Sequence, residues 1–195
     1  MINHKVQLVA GIAVLSMILT SLVVQATSYS GQQHREIKSL SQDDIEDLLN
    51  GRGWGLAKPA ELNGLPGPVH VLELKSELGL SALQISAIQL VYEAMRQEAK
   101  TLGQRYVDQE RKLERLLLDS SVTDVQLGEQ IQVNARTHGE LRFTHLRAHL
   151  EMHSILSAAQ IDRYNHLRGY GSDNPCENPP DGHDVGMWKK HNNCT

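Results

Sequence analysis

The 195-residue chain has room for one domain of ordinary size with appendages. Its residues are 40% hydrophobic but only 4% aromatic, and Leu, Ala, Gln, Glu and Arg fill the middle, a composition that favours helix over strand. A formal charge of −4 and a sequence pI near 6.2 leave no basic excess to neutralise phosphates, which excludes nucleic acid as an expected partner.

At the N-terminus Lys5 precedes an unbroken run of apolar and small residues, LVAGIAVLSMILTSLVV, followed by Gln25 and Ala26. This is the pattern of a secretory signal, with Val24 and Ala26 at the −3 and −1 places of a cleavage site before Thr27. The same run also meets the lower length limit for a retained membrane anchor. Either way residues 27–195 are expected outside the cytoplasm, and a membrane contact is expected only if the segment is kept. Export makes Cys176 and Cys194 readable as a disulfide confined to the tail.

Residues 27–40 are polar and aperiodic and read as a mobile lead-in. SQDDIEDLLNG then predicts a short helix, with Ser41 as N-cap and Gly51 as its stop. Residues 51–68, rich in glycine and proline around Trp54, read as a turn-rich connector whose Trp packs on the helices. HVLELKSELG predicts another short helix, ending near Gly79.

The long element starts at LSALQ, Leu80 to Gln84. Positions 88, 92, 95, 99, 102, 106, 109, 113 and 116 alternate steps of four and three and form a heptad seam with one polar entry, Gln109. A helix from Ala82 to Leu118 is roughly 55 Å long. DSSVTD interrupts it, and a second seam runs through Leu127, Ile131, Asn134, His138, Leu141, His145, Ala148, Met152 and Ile155. Two long helices joined by a short turn lie antiparallel. A second LSAAQ, Leu156 to Gln160, opens a further helix stopped by Gly169 or Gly171. The fold class is therefore all-α, a long antiparallel helical hairpin with short flanking helices. Its divisions are 1–26, 27–64, 65–170 and a flexible His- and Cys-containing tail, 171–195, expected to be extended or disordered unless Cys176 and Cys194 tie it down.

Ser followed three residues later by Gln is the capping-box arrangement, in which the hydroxyl accepts from the N3 amide and the Gln side chain returns to the N-cap amide. Ser81/Gln84 and Ser157/Gln160 fit it, as does Thr123/Gln126. Leu80 and Leu156 precede two of the boxes, where a staple contact to Ile85 and Ile161 is expected.

A helical chain with a signal-like N-terminus and two L-[ST]-x-x-Q motifs, one opening the hairpin and one opening the next helix, resembles the Spy/CpxP family of periplasmic proteins, the LTxxQ family. The resemblance covers about 65–170, and both copies carry Ser where the family name has Thr. It implies a curved hairpin paired into a cradle-shaped homodimer. It also implies either of two functions. One is an ATP-independent chaperone or regulator in envelope stress, binding unfolded clients or a signalling protein. The other is a metal-responsive protein, as in the zinc-resistance-associated members and the similar periplasmic heavy-metal sensors.

The residues show no catalytic constellation, neither a phosphate-binding glycine loop nor G-x-S-x-G, so no enzyme is expected. Histidine is the unusual residue. His138 and His145 are seven apart, ~10.5 Å along the axis, and cannot share one ion. His145/His149 and His149/His153 have the i, i+4 spacing that lets two imidazoles reach one metal. Folding the hairpin about residues 120 and 121 places Tyr92, Met95 and Arg96 opposite His145 and His149. With Met95 and Met152 as thioether donors, such a site suits Cu above Zn or Ni. The fuller His and carboxylate set of the sensor proteins is not matched. The plain alternative is that His138 and His145 are neutral seam residues with His149 and His153 on a wet face; a pH-sensing role is a third reading. In the tail, Cys176, His183, Met187, His191 and Cys194 are metal-competent, but their spacing matches no standard zinc pattern. A client-binding surface needs no discrete site. Arg96, Lys100, Arg105, Arg111, Lys112 and Arg115, interleaved with acids, provide a mixed-charge helix that serves as such a surface or merely as a solvated face.

Overall fold

A computed structural model describes residues 29–170, 176, 184–191 and 194. The signal-like segment, His183 and Gly171 lie outside these residues. Among the described residues no helix is long and apolar enough to cross a membrane. The main unit begins at His34, the last residue of a short 3-10 helix at Gln32–His34.

The architecture is all-helical, in the order α1 (Gln42–Asn50), α2 (Lys58–Leu62), α3 (Pro68–Glu73), α4 (Ala82–Leu118), α5 (Asp124–Ile155), α6 (Ala158–Leu167) and α7 (Val185–His191). Helices α4 and α5 pack along each other as the hairpin, while α1 and α3 lie against it. The starts of α1, α4, α5 and α6 are all closed by reciprocal capping boxes, at Ser41/Asp44, Ser81/Gln84, Thr123/Gln126 and Ser157/Gln160. Each box satisfies two amides that would otherwise lack intrahelical partners. Gly51, at φ 65°, ends α1 in the left-handed conformation that glycine adopts without cost.

Every α4 seam position is buried or half-buried. The α5 seam needs one correction: Ile131 is 50% exposed, whereas Gln130, Asn134 and Thr137 are buried. The reason is a polar network across the hairpin. Gln130 donates to Asn134 at 2.7 Å, and Asn134 donates to the buried Glu110 at 2.8 Å. Ser39 donates to the same carboxylate at 2.7 Å. Buried polar groups need partners, and satisfying these rotates Ile131 outward.

The mobile lead-in is corrected from His34 onward. Ile37 and Leu40 are 1% and 4% exposed, inside a cluster with Leu48, Ala99, Leu102 and Val107. Lys38–Glu114 at 2.7 Å and Arg111–Glu36 at 2.6 Å tie the same stretch to α4. Gly103 lets α1 approach, since a Cβ there would fall on the Leu48 carbonyl. The connector contains a helix that periodicity did not reveal, α2. Helix α3 starts at Pro68, whose missing N–H costs nothing at a first turn, and ends at Glu73 in place of Gly79, with 74–79 forming turns. The expected disulfide joins Cys176 to Cys194, and between them the tail holds a seven-residue helix, α7, that periodicity did not reveal.

The core is in two parts. One gathers the lead-in, α1 and the middle of the hairpin around Leu102 and Leu141. The other gathers α3, the open end of the hairpin and α6 around Val71, Ile88, Met152 and Tyr164. On α4 the stretch between them is Tyr92, Met95 and Arg96; on α5 it is His145 and His149. The site lies there.

Candidate functional site

Where the two cores part, the connector and the hairpin form a solvent-open cavity of about 800 Å³. Its floor is Tyr92, Met95, Arg96, His145 and His149, and its roof includes Trp54, Lys58, Glu61 and Pro68, with Tyr170 at one side. The juxtaposition of Tyr92, Met95 and Arg96 with the two histidines is the one expected from folding the hairpin at residues 120 and 121.

The connector is seated closely. A Cβ on Gly67 would come within 2.7 Å of the Glu61 carboxylate and 2.9 Å of the His149 ring, so only glycine lets the backbone pass there. A Cβ on Gly51 would come within 2.6 Å of the Arg96 carbonyl. Trp54 is held at φ 42°, the one non-glycine residue with positive φ among those described, and such strain persists only where the surroundings enforce it. Its indole donates to Asp44 at 2.8 Å, and its ring meets Tyr106 and His138 at centroid distances of 5.8 Å each.

His149 is buried and its Nδ1 lies 2.9 Å from the Leu65 carbonyl. A carbonyl only accepts, so Nδ1 carries a proton and donates to it. The wet-face placement of His149 is thereby corrected. His145 is 3% exposed, and its buried Nε2 has no hydrogen-bond partner. Burial, and secondarily the neighbouring His149, push its pKa down to about 4, so at neutral pH the ring is uncharged. Behind Gly67, the fully buried Tyr164 hydroxyl donates to Glu61, 2.9 Å from each carboxylate oxygen. Desolvation, then the Glu61 charge, hold that phenol well above its ordinary range.

The remaining candidates do not converge here. Met152 is fully buried in the second core, away from the cavity lining, and His153 is exposed. Of the candidate donors, the cavity collects His145, His149 and Met95. Among the described residues no group of three or more His, Cys, Asp or Glu side chains is placed to hold a metal ion. In the tail the disulfide removes Cys176 and Cys194 as thiolate ligands, His191 and Met187 are exposed, and His183 lies outside the described residues.

Sequence reasoning missed Glu61, Lys58 and Tyr170. They come from the connector and from beyond α6, where no periodicity fixes the path. The spacing Pro66-Gly67-Pro68, a glycine held between two rigid residues, was the available signal for a close backbone approach.

The repeated pentapeptides have a second role. The Gln84 amide donates to Gln160 at 2.8 Å and the Gln160 amide returns to Gln84 at 3.2 Å. Each also reaches a carbonyl, Gln84 that of Ile155 at 2.9 Å and Gln160 that of Leu78 at 3.3 Å. The two motifs are therefore clasped together, closing the open end of the hairpin beside Leu80, Leu156 and Ile161.

The hairpin also presents a solvent face. Arg105–Glu140 at 3.2 Å and Arg147–Glu98 at 2.6 Å cross between the helices, all four side chains being about half exposed. Arg147 stacks over Phe143 at 5.6 Å, and Phe143, Leu150 and Leu90 are 59%, 58% and 67% exposed. No protein-family model, curated protein or solved structure matches this chain.

Proposed function

We propose that the chain is an exported, Spy/CpxP-like binder that holds unfolded proteins, or a signalling partner, in envelope stress without ATP. The observation that carries this reading is the exposed surface of the hairpin helices, where Phe143 lies under Arg147, itself paired to Glu98, and Leu90 and Leu150 are exposed on the same two helices. Scattered apolar contacts favour exposed segments of many sequences, and the charges keep each contact weak and the protein soluble. A shallow depression of about 550 Å³ lined by Arg105, Arg136, Glu129 and Glu140 extends the same mixed-charge surface. The clasped motif pair supports the family resemblance, and with it a homodimer.

The test is suppression of client aggregation, followed by light scattering without nucleotide. The mature protein is expected to suppress scattering at severalfold molar excess, and the variant Leu90→Ser/Phe143→Ser/Leu150→Ser to lose most of that effect while melting normally. No suppression by the unaltered protein overturns the reading.

His145, His149 and Met95 on one cavity wall favour a second reading, a Cu, Zn or Ni sensor or metal-buffering protein. Calorimetric titration with each ion decides it. Binding weaker than ~10 μM, or unchanged in His145→Ala/His149→Ala, removes it.

A further inference from the structure

The cavity under the connector is built from parts that neither client holding nor helix packing requires. A hairpin seam that only had to pack would carry aliphatic residues throughout. This one carries Tyr92, Met95 and His145 at its middle, beside a cleft of about 800 Å³ between two apolar clusters, within the size range of small-molecule sites. The buried His145 Nε2 also has no hydrogen-bond partner among the described residues, where packing alone would favour an apolar side chain. The strained Trp54 and the glycines at 51 and 67 hold the roof close over that floor.

The lining also selects a class of ligand. Aromatic rings of Trp54, Tyr92 and Tyr170 offer flat apolar walls, with Met95 and Pro68 between them. Three cations line the same space. Arg52 is neutralised by Asp47 at 3.1 Å. Arg96 spends only its Nε, on the Asn50 carbonyl at 3.3 Å, and neither Arg96 nor Lys58 has a carboxylate within ion-pair distance among the described residues. The one acid in the lining, Glu61, accepts from the Tyr164 hydroxyl and keeps its charge, so two cations without an ion-pair partner stand against one carboxylate.

We propose that this cavity is a binding site for a small organic anion, an aromatic carboxylate whose acid group pairs with Arg96 and Lys58 and whose ring lies among Trp54, Tyr92 and Tyr170. His145 Nε2 then receives a polar substituent on the ring or a water bound with it. The site is separate from the exposed hairpin face, so client holding and anion binding stand or fall independently.

The experiment titrates the full mature protein, in buffer with excess EDTA, with 2-naphthoate and with its neutral counterpart 2-naphthamide, by calorimetry and saturation-transfer NMR. The acid is expected to bind with a Kd of roughly 10–100 μM and the amide at least tenfold more weakly. Arg96→Gln and Lys58→Gln are each expected to weaken the acid about tenfold, and Leu90→Ser to leave it unchanged. Equal binding of acid and amide overturns the proposal, as does undiminished binding to Arg96→Gln/Lys58→Gln, or no binding of the acid by ~1 mM. Binding that appears only when Zn or Cu replaces EDTA also overturns it and assigns the cavity to the metal reading. Should either variant fail to fold, the comparison of acid with amide on the unaltered protein still decides.

Discussion

At the scale of single residues, His145 links the cavity to pH. The folded protein holds this ring neutral, with a pKa pushed from 6.5 down to about 4, chiefly by burial. Between those values the unfolded chain takes up a proton that the folded chain refuses, so stability falls as pH drops. The contribution is complete above about pH 6.5 and is lost progressively towards pH 4, amounting to about 3 kcal/mol across the window. His149, Arg96, Lys58 and Glu61 line the same space, and the cations oppose a further positive charge there. Three carboxylates also titrate below their ordinary range: Asp44, lowered mainly by its bond from Ser41, Glu114, lowered mainly by Lys38, and the exposed Asp119, lowered mainly by Ser121. Their contributions are present above about pH 4.5 and disappear below it, so the interval from 4.5 to 6.5 isolates the histidine. Urea midpoints measured at pH 7.0, 5.5 and 4.5 with EDTA present are expected to fall steadily. In His145→Leu the slope is expected to be nearly flat, and the stability at pH 7 to equal or exceed that of the unaltered protein. A slope preserved in the variant would place the titrating group elsewhere.

At the scale of elements, the capping boxes and the clasp between them are separable. Ser81→Ala or Ser157→Ala removes one cap, worth about 1 kcal/mol. Gln84 and Gln160 do more, because each caps its own helix and also bonds to the other across the open end of the hairpin. A double-mutant cycle with Gln84→Ala and Gln160→Ala is expected to give a coupling of roughly 1 kcal/mol, against nothing for the distant pair Gln84→Ala and Gln126→Ala. Urea denaturation of the single and double variants measures both. The caps were legible in the sequence because a box depends on four consecutive residues. The clasp was not, because the pairing of residues 76 apart depends on where α6 turns. The same contrast runs through the helices. The α4 seam was legible at every position, since that side of the helix is covered along its length by α5, α1 and α3. In α5 a polar network with Glu110 competed with aliphatic burial and won, which an apolar count cannot foresee. Ile37 and Leu40 were misread for the opposite reason, being two apolar residues without a period to announce them.

At the scale of the whole molecule, the cooperative unit is the hairpin with what packs into its two cores, and the tail is attached to it. Half of the candidate site was legible because His145, His149 and Met95 belong to long periodic helices whose register follows from one turn. The roof was not, since Trp54, Lys58 and Glu61 are placed by glycines, prolines and a short α2 whose path depends on what they pack against. The tail follows a different logic again. Helix α7 contributes no buried residue, and its apolar Val185 and Met187 are 50% and 60% exposed. The disulfide joins residues 18 apart. If unfolding of that loop were coupled to the hairpin, chain-entropy reasoning would assign the bond about 3 kcal/mol, or roughly 6–12 °C in melting temperature for a chain of this size. A cross-link stabilises only the unit whose unfolding it restricts, and none of the described residues of this loop belongs to either core cluster. Cys176→Ser/Cys194→Ser is therefore expected to melt within about 2 °C of the unaltered protein, by differential scanning calorimetry at pH 7. Protease sensitivity between 171 and 195 is expected to rise sharply in the same variant. A fall of more than about 5 °C would mean that the tail belongs to the cooperative fold and that the boundary near residue 170 is misplaced.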